Sequence, residues 1–335
     1  METQITRQIF CHIFTAAVLL ASPQAGAEFR EQPSERTYST CTDYQSSQRA
    51  DRVKYCIQRS RPDLPQSPGE PVIYFMHGIW TDHRNWIVNG FDLALEKLRR
   101  TDNLPPMTFV AFETSLMSMF SDHSDDPRAA DSYESWFLNE FIPFVEDKYD
   151  VCRKRECRAV MGHSMGGLGA LKTALRHPEL FFLTVASSAA LVPYNVFEPM
   201  SVWDQYFDRH PIGKTKGRFL INSARKTFRT ADNYTANDPI HVFSQVPPEL
   251  WPVMHFEVGG KDSYGFQEGA GLFAEELRRK GMSFSFYLNP EGSHQMVRTR
   301  NVTLLRLVAD AVAKSLRSHA NAVKYEAAVL PGSDR

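Results

Sequence analysis

The hexapeptide Gly162-His163-Ser164-Met165-Gly166-Gly167 constrains this chain more than any other feature. It sits between the apolar run Ala159-Val160-Met161 and an Ala/Leu-rich segment from Leu168 to Leu175. A serine in G-x-S-x-G, entered from a short strand and left by a helix, is the pattern of a nucleophile elbow. The reason is steric and electrostatic. Strand and helix pass so closely around the turn that only glycine is tolerated beside it. The helix then aims its first amide N–H groups and its positive dipole end at the serine oxygen. Such a turn needs an open, mostly parallel α/β sheet, and the remaining chain supplies the pieces.

Apolar runs bounded by turn residues alternate with helical spacing, as in βαβ units. Val72 to Met76, Thr108 to Phe112, Phe182 to Ala186, Val253 to Val258 and Phe284 to Leu288 read as strands beside the one entering the elbow. Asp92 to Leu98, Trp136 to Tyr149, Leu168 to Leu175, Ala274 to Arg279 and Val302 to Leu316 read as helices, and residues 37–58 as a leading hairpin. Between about 190 and 250 the rhythm fails. That stretch holds Tyr194, Phe197, Trp203, Tyr206, Phe207, Phe219, Phe228 and Tyr234. It reads as an insertion over the C-terminal edge of the sheet, where open α/β sheets bind ligands. Residues 28–318 then form one α/β domain, and 319–335 an unstructured tail.

A serine hydroxyl needs a base, and the base an orienting acid. On this fold the chain order is serine, acid, histidine. Val258-Gly259-Gly260-Lys261-Asp262 offers Asp262 on a glycine turn after a late strand, and Asn289-Pro290-Glu291-Gly292-Ser293-His294 offers His294 on the loop after the next strand. The other histidines fail on position. His177, His210 and His241 precede Asp262, His255 lies within a strand, His163 is in the elbow, and His77 follows an early strand, where satisfying backbone groups outweighs catalysis. The oxyanion hole needs two N–H donors. The Met165 amide is one. The Ile79 amide, after Gly78, is the other candidate, with Trp80 one residue off.

Arg7, the apolar stretch Ile9 to Ala21 and the small residues Ala25-Gly26-Ala27 read as a signal peptide over 1–27. The apolar run is shorter than the roughly 20 residues of a membrane span, so no span is expected in the mature protein, which would be periplasmic or secreted. Four cysteines then remain, and Cys41–Cys56 and Cys152–Cys157 are the favoured disulfides because each pair flanks a turn. No C-x-x-C spacing or accompanying histidine suggests a metal. With 38 Lys+Arg against 39 Asp+Glu, nothing marks a nucleic-acid or anionic-membrane surface.

Taken together, these blocks resemble the esterase D-type branch of the α/β hydrolases, which includes S-formylglutathione hydrolases, feruloyl and acetylxylan esterases, enterochelin-type esterases and mycolyltransferases. The resemblance rests on His77-Gly78, Phe120-Ser121-Asp122, the helix through Asn139-Glu140-Phe141-Ile142-Pro143, the elbow, Gly260-Lys261-Asp262 and Gly292-Ser293-His294. It covers roughly residues 50–185 and 250–315. It implies a serine carboxylesterase with Ser164, His294 and Asp262 as triad, Ile79 and Met165 as oxyanion donors, no cofactor, and a small-molecule or carbohydrate-linked ester as substrate. The same triad would serve an acyltransferase or a thioesterase. A binding protein on this scaffold would be expected to lack a triad member, and here all three positions are filled. Segment 190–250 carries no motif of the family, and there Trp203, Tyr206 and Phe207, with Trp80, are the candidate substrate contacts.

Overall fold

A computed structural model describes residues 38–329, with side chains through Ser318. The signal peptide expected at 1–27 lies outside the described residues. Eight strands form one sheet in the order β1-β2-β4-β3-β5-β6-β7-β8. They are β1 (Thr40–Gln45), β2 (Arg52–Arg59), β3 (Val72–Met76), β4 (Thr108–Phe112), β5 (Arg158–His163), β6 (Leu183–Ser187), β7 (Val253–Gly259) and β8 (Ser285–Asn289). The first two form the expected hairpin and pair antiparallel, and from β4 to β8 every pairing is parallel.

β3 and β4 are apolar at every position but Thr108, and buried at every position, because both faces of the sheet are covered. Alternation sends their side chains to opposite faces. Tyr74, Met76, Val110 and Phe112 join one apolar cluster with Trp136, Phe137 and Phe141. Ile73, Phe75 and Phe109 join another with Leu95, Leu305 and Val308. The longer helices are α1 (Phe91–Thr101), α2 (Ile142–Tyr149), α3 (Met165–Arg176), α4 (Met200–Asp208), α5 (Lys214–Phe228), α6 (Phe266–Arg279) and α7 (Val297–Val329).

Three expectations are corrected. The helix expected over 136–149 is interrupted by a π-turn at Phe137–Phe141. Pro143, lacking an N–H, cannot make the bond an unbroken α-helix needs there, and a π-turn absorbs the mismatch. The insertion is helical, in α4 and α5. Its periodicity was hard to see because the buried stripe of α5 includes Gly217 and Ala224, which carry little apolar weight. The tail expected to be unstructured from 319 keeps helical backbone to Val329, over an Ala-rich run free of Gly and Pro. Among the described residues no helix is long and apolar enough to cross a membrane.

Cys41 faces Cys56 across the β1–β2 ladder and is bonded to it, and Cys152 is bonded to Cys157. The first bond closes a separation of 15 residues, for which chain-entropy models give about 3 kcal/mol. A Cys41→Ser, Cys56→Ser double variant is therefore expected to lose about that much stability in urea unfolding. Activity per folded molecule is expected to hold, because β4 and β3 separate the hairpin from β5 and its elbow.

Candidate active site

β5 delivers Ser164 onto a turn with φ 58° and ψ −119°, outside the regions favoured by residues with a side chain. Backbone bonds hold it there. Ser164 N–H donates to Ser187 O at 3.0 Å, and its carbonyl accepts from Leu168 and Ala190. A Cβ at Gly162 would strike the Gly166 backbone, and one at Gly166 would strike the Met76 carbonyl. These are the contacts that require the motif's glycines.

Two further loops meet this turn. Gly260 N–H donates to Asn289 O at 2.6 Å and Lys261 N–H to Gly292 O at 2.9 Å. A Cβ at Gly259 would collide with the Gly292 carbonyl, so the loops after β7 and β8 cross in direct backbone contact. That crossing brings Asp262 and His294 together. His294 Nδ1 lies 2.8 Å from Asp262 Oδ2, and Nε2 lies 3.1 Å from Ser164 Oγ. A carboxylate only accepts, so Nδ1 carries the proton and Nε2 is left to accept from the serine. Asp262 Oδ1 also accepts from the Tyr264 amide. Ser164, Asp262 and His294 are all buried. An alcohol joined to an imidazole whose far side is held by a buried carboxylate is set to lose its proton as it attacks a carbonyl.

Two other histidines flank the site. His163 packs against His294 with ring centroids 5.1 Å apart and donates from Nδ1 to Ser187 O. Burial, reinforced by repulsion from His294, lowers its pKa to about 3. His77 bonds Gly78 O through Nδ1 and Thr114 through Nε2, tying the loop after β3 to the loop after β4. Burial lowers it to about 4. Its partners are structural ones, in line with the sequence reading.

The candidate substrate contacts separate into two groups. Trp203 and Phe207 line an apolar cavity of about 90 Å³ that includes Ser164, Ile79 and Met165. Tyr206 is buried beside it and donates its hydroxyl to Tyr264 O instead. Trp80 does not line this cavity; it is 44% exposed, with its ring 6.4 Å from Phe219 and Lys216 Nζ 5.3 Å above it. The Trp80 amide donates to Leu116 O at 3.0 Å, so of the two candidate amides after Gly78 it is the one already engaged.

Sequence reasoning missed Lys172, buried on α3. Its ammonium donates to Phe120 O, Ser121 Oγ and Glu134, and so fixes the loop carrying Met119 into the cavity wall. Burial opposes the Glu134 charge, but Lys172, His177 and Arg176 overcome it and hold the carboxyl at about 2. The signal was a lysine in the middle of a largely apolar helix. Also missed was Tyr264, whose ring lies 4.5 Å from that of His294.

A model of the family described as "Putative esterase" matches residues 54–288, more than half of the chain. An endo-1,4-beta-xylanase/feruloyl esterase of Xylanibacter ruminicola is 27% identical over 134 residues, which are 39% of this chain and 18% of that one. An acetyl esterase of Caldicellulosiruptor saccharolyticus is 24% identical over 125 residues, 37% of this chain and 43% of that one. The matches thus span less than half of either relative. Among solved structures, an S-formylglutathione hydrolase from Agrobacterium tumefaciens superposes with a TM-score of 0.62 at 14% identity, over 84% of this chain and 99% of that one. At that identity the likeness is one of fold.

Proposed function

Because this chain belongs to the esterase family and has the α/β-hydrolase fold, we propose that it is a serine carboxylesterase working through an acyl-enzyme on Ser164. One observation carries the reading: a single imidazole, His294, lies within hydrogen-bond reach of both Ser164 Oγ and Asp262 Oδ2. In the proposed reaction His294 takes the Ser164 proton as the oxygen attacks the ester carbonyl. The amides of Met165 and Ile79 hold the oxyanion. His294 returns the proton to the departing alcohol, then activates water to release the acid, while Asp262 fixes the tautomer and stabilises the imidazolium. The substrate is a small-molecule or carbohydrate-linked ester. Two disulfides support an oxidising, exported location.

Product analysis tests the reading. Purified protein with a nitrophenyl ester is expected to release nitrophenol and free acid in equal amounts, with and without added alcohols. Acyl groups transferred wholesale to an added sugar or lipid hydroxyl would replace hydrolysis by acyl transfer. The pH profile gives an independent check. An imidazole protonated on both nitrogens cannot accept a proton from Ser164, so kcat/KM falls on the acid side. His163 and His77 stay neutral above their lowered values of about 3 and about 4, so a limb above about pH 5 is not theirs. His294→Ala is expected to remove that limb with most of the rate. An unchanged limb would assign it to another group.

A further inference from the structure

The buried stripe of α5 runs Gly217, Ile221, Ala224, Phe228, spaced four, three and four residues apart. All four line the cavity beside Ser164. Two of them are small, Gly217 and Ala224. A Cβ at Gly217 would meet the Phe207 ring, which lies against the helix backbone there, while Ala224 leaves room where a larger apolar residue would fill it. No charged side chain lines the space.

Lys216, near the start of α5, lies over the Tyr264 ring beside His294, and Phe228, the last residue of that helix, forms a wall of the cavity away from them. Phe228, 3% exposed, also lines a separate polar groove with Asp122, Asp125 and Arg229. One ring therefore divides the apolar cavity from that groove. Tyr234 holds it edge-on, with centroids 5.2 Å apart.

We propose that this cavity receives the acyl part of the substrate, a straight saturated chain of short to medium length, and that Phe228 is the end wall that sets the length limit. The inference rests on the reading of Ser164 as nucleophile, since the acyl carbon bonded to that oxygen must lie at the cavity's near end. A charged acyl group would lose its hydration against this lining, which offers no charged side chain in return. An alkyl chain gains binding with each buried methylene, about fourfold per CH₂.

The test uses the purified full chain with nitrophenyl esters from acetyl to decanoyl, plus a feruloyl ester. Wild-type kcat/KM is expected to rise about fourfold per methylene, then fall about tenfold or more once the chain meets the wall. Phe228→Leu is expected to move the break to longer chains and raise the ratio of decanoyl to butyryl kcat/KM about tenfold. Ala224→Leu, which narrows the same passage, is expected to lower that ratio by a similar factor. A ratio within one preparation does not depend on the folded fraction, and if Phe228→Leu yields no folded protein, Ala224→Leu decides alone. A flat ratio in a folded variant, or a feruloyl ester preferred to every straight chain, overturns the assignment. The two readings fail separately. Hydrolysis that survives Ser164→Ala removes the nucleophile. Ser164-dependent hydrolysis with a flat ratio removes only the acyl site.

Discussion

Ser164→Ala is expected to lower kcat for a nitrophenyl ester by about 10⁴- to 10⁶-fold while the protein stays folded. The large loss follows from the position of Oγ. It lies at the cavity lining, 3.1 Å from His294 Nε2. No other hydroxyl is seen bonded to that nitrogen among the described residues. The small structural cost follows from what remains. Alanine keeps the Cβ and suffers the same φ of 58°, and the bonds that hold the turn run through the backbone of residue 164. Ser164 is only 6% exposed, so the hydroxyl faces the apolar cavity and not bulk water. Steady-state turnover and a thermal melt read both halves. Retention of more than about 1% of wild-type kcat would show that another group attacks the ester.

Gly166→Ala is expected to give no recoverable folded protein, or one destabilised by more than about 4 kcal/mol. A Cβ there would sit against the backbone carbonyls of Met76 and His77. Neither side can yield. Met76 ends β3, which is paired to β4 at Phe112 and to β5 at Gly162, so shifting it disturbs the centre of the sheet. Gly271→Ala on α6 is the matched control, because nothing lies within 4 Å of a Cβ there. That change is expected to be neutral or to stabilise by about 0.5–1 kcal/mol. Soluble yield and urea midpoints compare the two. Equal midpoints would mean that the close approach around the elbow is not what fixes its glycines.

What was legible in the sequence follows a physical division. β3 and β4 were readable because strands covered on both faces are apolar nearly throughout, and β6 and β7 kept apolar runs despite Thr184, Ser187, His255 and Glu257. Asp262 and His294 were readable because this sheet imposes a chain order on groups that meet at its edge. The insertion helices were not, since helix packing there depends on what is missing from Gly217 and Ala224. Nor could spacing reveal which face of α4 meets the cavity, so Trp203 and Phe207 were grouped with Tyr206, which turns to Tyr264 O instead. The Lys172–Glu134 pair was equally hidden, because buried partners 38 residues apart leave no local pattern.

The insertion leaves the sheet after β6 and returns to β7, which are neighbours in the parallel ladder. Ser164 and His77 lie before it in the chain, and Asp262 and His294 after it. The crossing of the 259–262 and 289–294 loops is made by their own backbones, and the insertion touches the residues just after Asp262, with Ile212 N–H donating to Ser263 O and the Tyr206 hydroxyl to Tyr264 O. On the proposed reading, a rebuilt segment between β6 and β7 that kept these two bonds would change what fits beside Ser164 while Asp262 and His294 kept their spacing, a selectivity cassette spliced into a chemical frame.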